Sequence, residues 1–265
     1  MQKKKFIILP NNKDLKLYKG FNSFILPLKD YSIGYNVYFD IDEINELSKE
    51  YEIYVIMNKF LHMDVYKFRE SYPKFNANVK FIVEDIGLLS FIPKERFILY
   101  ENHILSNYKA INYLESLNIN NVVINNDLTI DELDEINSKT NSNIFYHYIS
   151  KNIIMYSRRK LVSNFNNHYD LEDKDSYLLN EHVSKSILEI KEEDDGSIVR
   201  NHKIFCASKY LNKLNMNLII DLTDIDSVST KMILDNYNKE NLCDLIDSDY
   251  YFLEHEIKYK VGDIK

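Results

Sequence analysis

Short runs of β-branched, aromatic and other apolar residues recur along the chain, and polar residues separate them. Near-continuous apolar runs of this length are typical of strands buried on both faces of a parallel sheet. The predicted strands are FIILP (6–10), FILPL (24–28), IYVIMN (53–58), VKFIVED (79–85), FILYEN (97–102), NVVINND (121–127), IFYHY (144–148) and LIIDL (218–222).

Amphipathic stretches of helical period lie between several of these runs. Apolar residues three or four positions apart form one stripe on a helix and predict that this face is buried. The clearest stretches are DIDEINELSKEY, SNYKAINYLESLN and TIDELDEINSKT. Asp40, Ser106 and Thr129 stand at their starts, and side chains of these types accept hydrogen bonds from free N–H groups. We therefore expect them to be N-caps.

The alternation of strands and helices predicts the fold class. Parallel neighbours need a crossover connection, usually a helix, so this pattern predicts an α/β, TIM-like (β/α) barrel, with a doubly wound open sheet as the alternative. We expect residues 1–265 to form a single barrel domain. The alternation of strands and helices is interrupted by an insertion at residues 149–217. There ILEIKEEDDGSIVRNHKIF predicts a β-hairpin that turns at Gly196. This insertion follows the seventh strand and is expected at the barrel mouth.

Composition and charge narrow the class of protein. The net charge of −8 argues against nonspecific coating of nucleic acid. No apolar run approaches the roughly 20 residues that span a bilayer, and the start of the chain is too short in apolar residues for a signal peptide. We expect a cytoplasmic protein with no membrane partner. Cys206 and Cys243 lack metal-ligand spacing and are predicted to be small buried residues without a disulfide.

Common catalytic motifs are absent from the sequence. GxSxG, GxxxxGK[ST], GxGxxG, HExxH and CxxC do not occur, which argues against the usual hydrolase, nucleotide, zinc-protease and redox sites.

Polar residues at the strand ends would meet at one mouth if the strands form a barrel. Carboxylates there could bind a cation or act as a general base, or they could cap the following helices. Glu84 and Asp127 are catalytic candidates, and the other mouth candidates are Asn58, Glu101, Asn126, His147 and Asp221.

His62 and Asp64 form a second pair of catalytic candidates, in NKFLHMD. They are close enough in sequence to act as a base and its orienting group. Two side chains do not make a metal site, and a loop histidine beside a helix-capping aspartate explains the pair equally well. No metal site is predicted.

A basic turn, residues 157–160, follows the apolar run IFYHYISKNIIMY. Ser157 could cap a short helix SRRKLVSNF, which would bring free N–H groups close to Arg158, Arg159 and Lys160. That combination suits phosphate, RNA or a carboxylate. The alternative is a solvated first turn whose charges pair with nearby acids.

An ordered series of motifs resembles the collagenase-like peptidases, peptidase family U32. The series is IYVIMNKFLHMD, VKFIVEDIGLL, SNYKAINYLESLNINNVVINNDLTIDELDEI, IIMYSRRKLVSNF and ILEIKEEDDGSIVRNHKIFCASKYLNKLNMNLIIDL. The resemblance implies a TIM-like main domain. Some members are peptidases of unknown catalytic type, whereas others hydroxylate tRNA wobble uridine, ribosomal RNA or the ubiquinone ring, several with an iron–sulfur cluster.

The chain departs from the cluster-bearing members of that family. Ile153 and Lys160 stand where those relatives have cysteines, and Asn126 with Asp127 replaces an Arg–Glu pair. It looks most like a short cysteine-free branch with an SRR turn, which in some bacteria is paired with a cluster-bearing relative in forming wobble 5-hydroxyuridine, using prephenate.

The branch implies a component of tRNA hydroxylation without an iron–sulfur cluster or other evident cofactor. Its expected partners are a cluster-bearing paralogue, tRNA and a small acidic metabolite. A metal-dependent or uncharacterised peptidase and a degenerate non-catalytic binding subunit are the alternatives.

Overall fold

The structure is a computed structural model that describes residues 5–100, 105–182 and 186–254. Its strands are β1 (Phe6–Leu9), β2 (Ser23–Pro27), β3 (Glu52–Met57), β4 (Lys80–Val83), β5 (Phe97–Tyr100), β6 (Asn121–Val123), β7 (Asn143–Ser150), β8 (Ile153–Ser157), β9 (Ser176–Asn180), β10 (Ile187–Glu193), β11 (Gly196–Asn201), β12 (Ile204–Cys206), β13 (Asn217–Asp221) and β14 (Ser248–Asp249).

A closed barrel of eight parallel strands is the centre of the fold. Strands β1 to β7 pair in sequence order, and β13 pairs with both β7 and β1. Closure by β13 excludes the open sheet, so the predicted α/β, TIM-like barrel is confirmed. Each of the eight predicted apolar runs contributes one barrel strand.

Helices surround the barrel. They are α1 (Ile41–Leu47), α2 (Asp64–Ser71), α3 (Tyr108–Ser116), α4 (Ile130–Lys139), α5 (Leu161–Tyr169) and α6 (Ser227–Asn236), and short 3₁₀ turns occupy Leu15–Leu17, Tyr72–Lys74, Ile86–Ser90, Ser208–Tyr210, Glu240–Asp244 and Tyr251–Leu253. None of the helices among the described residues has the length and apolar character needed to cross a membrane.

Two of the three predicted N-caps are confirmed. Asp40 and Thr129 each form a capping box with the glutamate three residues later. The prediction for Ser106 is wrong, because Asn107 caps α3 and accepts a hydrogen bond from the N–H of Ala110 at 3.0 Å. Both residue types cap helices, so the sequence alone could not decide which of the two neighbours starts the helix.

Two apolar layers follow from the alternation of side chains along the strands. One face of each strand packs under the surrounding helices in the larger cluster. The other face fills the barrel interior, and its buried strand residues are Ile7, Leu9, Ile25, Tyr54, Ile56, Ile82, Ile98, Val123, Phe145 and Ile219.

Between β7 and β13 the chain forms an antiparallel sheet with the strand order β8-β11-β10-β9, called here the inserted sheet. The predicted hairpin is confirmed, because β10 and β11 pair around Asp194 and Asp195 and Gly196 has a φ of +142°. Strands β8 and β9 were not expected from the sequence. Ile154, Met155 and Leu178 on these strands are exposed, so the strands lack the continuous burial that the barrel strands show.

Polar contacts hold the inserted sheet over the carboxyl ends of the barrel strands. Arg200 on β11 is 2% exposed, pairs with Asp224 at 2.9 Å, and donates a hydrogen bond to the carbonyl oxygen of Gly34 at 2.7 Å. The N–H of Gly34 donates to Glu193 at 3.2 Å. At the hairpin tip, Asp195 forms an ion pair with Lys59. The sheet therefore covers the barrel mouth.

The two cysteines are joined, contrary to the prediction. Cys206 ends β12 and Cys243 lies in the turn Glu240–Asp244, and the two form a disulfide with their Cα atoms 5.7 Å apart. Both side chains are buried, as expected. Their separation of 37 positions hides this proximity, which arises only when β12 pairs with β7 and β14.

Candidate functional site at the barrel mouth

Strand alternation positions two polar side chains at the top of the barrel interior. His147 stands two residues after Phe145 on β7, and Asp221 stands two residues after Ile219 at the end of β13. Because side chains two positions apart share a face of a strand, both continue the interior layer toward the mouth. They are 8% and 6% exposed, respectively.

A cavity of about 310 Å³ lies between these strand ends and the inserted sheet, and we call it the mouth cavity. Barrel residues form its floor and Ile153, Ile154, Leu188 and Asn201 contribute from the inserted sheet. Its charged lining residues are Asp127, Glu181 and Asp221, its aromatic ones are Tyr35, Tyr100, Tyr251 and Phe252, and its amides include Asn126 and Asn152.

His147 is a neutral imidazole at physiological pH. Burial lowers the pKa of His147 to about 4. Its ring lies against that of Tyr100, with 5.6 Å between the ring centroids, and its Nδ1 is buried with no hydrogen-bond partner in the described part of the chain. Its backbone carbonyl accepts a hydrogen bond from Asn126 at 3.1 Å, which joins two lining residues.

Asp221 is a buried carboxyl group whose proton affinity is increased. Burial raises the pKa of Asp221, whereas hydrogen bonds from Thr223 and the charge of Arg200 oppose this rise. Its Oδ1 accepts the N–H of Thr223 at 2.9 Å. Burial and the neighbouring Asp221 hold the pKa of Tyr35 well above its usual value, so Tyr35 stays a phenol.

Acid–base chemistry is within the capacity of this arrangement. A neutral imidazole can accept a proton, and a carboxyl group of raised pKa can donate or accept one. No three His, Cys, Asp or Glu side chains among the described residues are grouped as metal ligands.

Four of the predicted site residues meet at the mouth cavity: Asn126, Asp127, His147 and Asp221. Asp127 is exposed and its carboxylate accepts a hydrogen bond from Asn125 at 3.2 Å. Thr129, not Asp127, caps the helix that follows.

The other predicted mouth residues have different positions. Asn58 is buried and exchanges two hydrogen bonds with the backbone of Ile33, at 2.9 and 3.0 Å, so it fixes the loop after β2. Glu84 lies near enough to Tyr35 for its charge to help raise the pKa of that tyrosine, after burial and other neighbours. Glu101 lies outside the described residues.

His62 and Asp64 are not among the described residues that line the mouth cavity. Asp64 is the first residue of α2 and forms an ion pair with Lys67 at 2.7 Å. The hydrogen bond from Lys67 lowers the pKa of Asp64, and Arg158 and Lys59 add to this. His62 is an exposed loop residue with a positive φ of 48°. The loop and helix-start explanation of this pair agrees with the geometry.

Ser157 does not cap a helix, and that part of the prediction is wrong. It ends β8, and its Oγ accepts the N–H of Arg159 at 3.2 Å. Helix α5 begins at Leu161 instead. The carboxylate of Glu192 accepts the N–H groups of Val162 and Ser163 at 2.9 and 3.1 Å, so the hairpin already supplies the anion for this helix start.

The three basic residues of the turn are exposed. Lys160 donates a hydrogen bond to the carbonyl oxygen of Glu193 at 2.8 Å. Within the described residues, neither Arg158 nor Arg159 forms an ion pair with a carboxylate. The turn thus presents two guanidinium groups to solvent beside the covered mouth.

Several lining residues were missed from the sequence. Tyr100 follows Ile98 on the interior face of β5, so the same alternation that places His147 could have found it. Tyr35, Asn152, Glu181 and Tyr251 lie in loops, a turn and strand connections, where no local period indicates which way a side chain points.

Comparison with known proteins gives one family match. The model of peptidase family U32 matches residues 17–231. The comparison with curated proteins gives no match. A solved structure described as that of the U32 peptidase Mk0906 is similar, with a TM-score of 0.48 and 12% identity, over 83% of this chain and 92% of that one.

Proposed function

This chain belongs to peptidase family U32, and we propose that within the family it is a component of tRNA 5-hydroxyuridine formation that acts with a cluster-bearing relative. The proposal places the protein in the cytoplasm with its tRNA substrate. It is supported by the resemblance of the SRR turn to the short cysteine-free branch of the family.

The observation that carries this proposal is the pair of exposed arginines beside the mouth. Guanidinium groups bind phosphate through two parallel hydrogen bonds, and phosphate contacts supply most of the affinity for nucleic acid. In a chain with a net charge of −8, neither Arg158 nor Arg159 forms an ion pair among the described residues, although the nearby charge of Arg158 lowers the pKa of Asp64. Such a local site can bind RNA although the whole protein is acidic.

The turn and the mouth cavity are linked by one short strand. Ile153 and Ile154 line the cavity at the start of β8, and Arg158 follows its end. At about 3.3 Å per residue, roughly 15 Å separates them. A single-stranded RNA loop, whose bases can be splayed out, covers such a distance. The arginines would then hold the backbone while the loop reaches the mouth.

The chain's residues favour a binding role over a redox role. Ile153 and Lys160 occupy the positions at which cluster-bearing relatives have cysteines, and Cys206 and Cys243 are bonded to each other. We infer that the cluster-bearing relative supplies the oxidation chemistry and that this subunit contributes tRNA binding.

The test combines gene deletion with nucleoside analysis. We expect deletion to lower 5-hydroxyuridine derivatives in tRNA digests measured by mass spectrometry, and the wild-type gene to restore them. A variant with Arg158→Ala and Arg159→Ala should fail to restore them, because two phosphate contacts are lost. A variant with Arg69→Ala and Lys109→Ala, which removes the same charge from exposed positions on α2 and α3, should restore them.

Binding of tRNA by the purified protein and its relative gives a second measurement. The arginine variant should bind tRNA at least about tenfold more weakly. The number of counterions released on binding, measured from the salt dependence of the affinity, should fall by roughly two. Unchanged nucleoside levels after deletion, in a strain without a second copy of the gene, would contradict the proposal.

A further inference from the structure

An exposed pair of aromatic rings lies beside the basic turn. The rings of Phe60 and Tyr156 are stacked, with 5.4 Å between their centroids and 18° between their planes. Phe60 is 57% exposed. Because Tyr156 covers one face of the Phe60 ring, the exposed area belongs to the ring edge and to the opposite face. The pair therefore presents an open aromatic face on which a further flat ring can stack.

The position of this stack is fixed by contacts of the neighbouring residues. Lys59 donates a hydrogen bond to the carbonyl oxygen of Asp30 at 3.0 Å and forms an ion pair with Asp195 at the hairpin tip. The hydroxyl of Tyr156 donates to the carbonyl oxygen of Asp195 at 3.2 Å. These contacts join the loop after β3 to the tip of the inserted sheet. A surface that is ordered before binding loses less conformational entropy when it binds.

Arg158 belongs to the same site. Phe60, Tyr156 and Arg158 line one cavity of about 240 Å³, called here the hairpin groove, and it shares no described lining residue with the mouth cavity. Burial raises the pKa of Tyr156, and the nearby charge of Arg158 opposes this rise. At the volume of one liquid water per non-hydrogen atom, 240 Å³ holds about eight such atoms, the size of a pyrimidine base.

The acidic residues of the hairpin groove decide which part of a nucleotide can enter it. Its carboxylates are those of Asp30, Asp64, Asp194 and Asp195. A phosphate inside the groove would meet these like charges at short range, whereas an uncharged base would not be repelled. A bound nucleotide therefore has its base in the groove and its phosphate on the side of the arginines.

We propose that the hairpin groove binds one unpaired RNA base, which stacks on Phe60 while Arg158 binds its phosphate. This inference rests on the proposed function, because it names the part of the RNA that the arginine turn binds. Aromatic side chains beside cations that follow the backbone are the usual means of binding single-stranded nucleic acid. A paired base has both faces covered by its neighbours in the duplex, so the groove selects unpaired nucleotides.

Fluorescence anisotropy with the purified protein tests the assignment. The two probes are a labelled short oligouridylate and an abasic ribose-phosphate chain of the same length and charge. Arginines bind the phosphates of both probes, but only the first has bases that can stack. The wild type should bind oligouridylate at least about fivefold more tightly than the abasic chain, the lower end of the effect of one base stacked on an aromatic side chain.

Three changes at Phe60 separate stacking from simple apolar contact. Phe60→Ala and Phe60→Leu should abolish the preference for the base-bearing probe, whereas Phe60→Tyr, which retains an aromatic face, should keep it. Tyr113→Ala is the matched control, because it removes a 65% exposed ring from α3 and should leave the preference unchanged. Circular dichroism identifies any variant that fails to fold. The variant with Arg158→Ala and Arg159→Ala should weaken binding of both probes by a similar factor.

Absence of saturable oligouridylate binding, equal affinity of the wild type for both probes, or an unchanged preference in folded Phe60→Ala and Phe60→Leu would overturn the assignment. If Phe60→Ala instead weakens only the binding of the cluster-bearing relative, the surface is a protein interface and the assignment is also wrong.

The result is distinguishable from the test of the proposed function. Unchanged nucleoside levels after gene deletion, together with a preference that depends on Phe60, would contradict the role in hydroxylation and leave base binding in place. Lowered nucleoside levels with a preference independent of Phe60 would overturn only the base-binding assignment.

Discussion

Gly34 and Gly20 share a φ of +87°, a left-handed backbone conformation that disfavours any residue with a Cβ. Their surroundings differ. A Cβ on Gly34 would overlap the Cδ1 atom of Ile198 and approach the guanidinium of Arg200 at 3.0 Å, whereas a Cβ on Gly20 would meet nothing within 4 Å. Comparing alanine substitutions at these two glycines therefore separates the free energy of backbone strain from the free energy needed to displace the inserted sheet.

We expect Gly34→Ala to lower the free energy of unfolding by about 1–3 kcal/mol more than Gly20→Ala does, because overpacking is added to the shared backbone strain. Urea unfolding of both variants measures this difference. Equal losses in the free energy of unfolding would mean that the inserted sheet shifts without cost to accommodate the new Cβ. That result would contradict the tight packing of Ile198 on the loop after β2.

At the scale of elements, the start of α3 distinguishes two adjacent candidate caps. Asn107→Ala should lower the free energy of unfolding by about 1 kcal/mol, because the N–H of Ala110 loses its acceptor. Ser106→Ala should have a much smaller effect. Thermal and urea unfolding of the two variants provide the measurement, and a larger loss at Ser106 would show that the helix begins one residue earlier.

Helix α5 shows why some element boundaries could not be predicted. The sequence offered Ser157 as a local cap. The carboxylate of Glu192, about 30 positions away along the chain, instead accepts the second and third N–H groups of the helix. The nearby serine predicted the wrong helix start because the actual hydrogen-bond acceptor is brought close only by the folding of the hairpin.

At the scale of the whole molecule, an ion network closes the amino-terminal face of the barrel. Glu52 on β3 accepts hydrogen bonds from Ser23 at 2.9 Å and Tyr54 at 2.7 Å, and it forms ion pairs with Lys5 and Lys80. Burial would raise the pKa of Glu52, but the hydrogen bonds from Lys5, Tyr54 and Ser23 lower it to about 2. This face lies opposite the mouth cavity.

Because the pKa of Glu52 is lower in the folded protein than in the unfolded chain, its ionised form stabilises the fold above about pH 4.5. This contribution is lost as the pH falls toward 2. Glu52→Gln should therefore destabilise the protein at pH 7 and have little effect near pH 2. We expect about 1 kcal/mol at pH 7, because the side chain is 35% exposed and solvent screens its charge.

Urea unfolding of the wild type and Glu52→Gln at pH 7, 5 and 3 gives the required pH profile. Glu46→Gln is the control, because Glu46 pairs with Lys49 on the surface with a 74% exposed side chain and should show no comparable pH trend. A destabilisation by Glu52→Gln that does not shrink at low pH would exclude the network as its cause.

The sequence by itself determined the eight barrel strands, the helices α1, α3 and α4, the hairpin turn at Gly196 and the position of His147 and Asp221 at strand ends near the mouth. These features depend on periods of two and 3.6 residues and on contacts within a few positions, which a linear pattern records.

Only the tertiary structure decided the closure of the barrel by β13 and the disulfide between Cys206 and Cys243. It also decided the hydrogen bonds of Glu192 to the start of α5 and the enclosure of the mouth cavity. Each of these joins residues far apart in the chain. The free energy of these contacts depends on which surfaces pack against each other in the folded protein, and the local periodicity of the sequence does not contain that information.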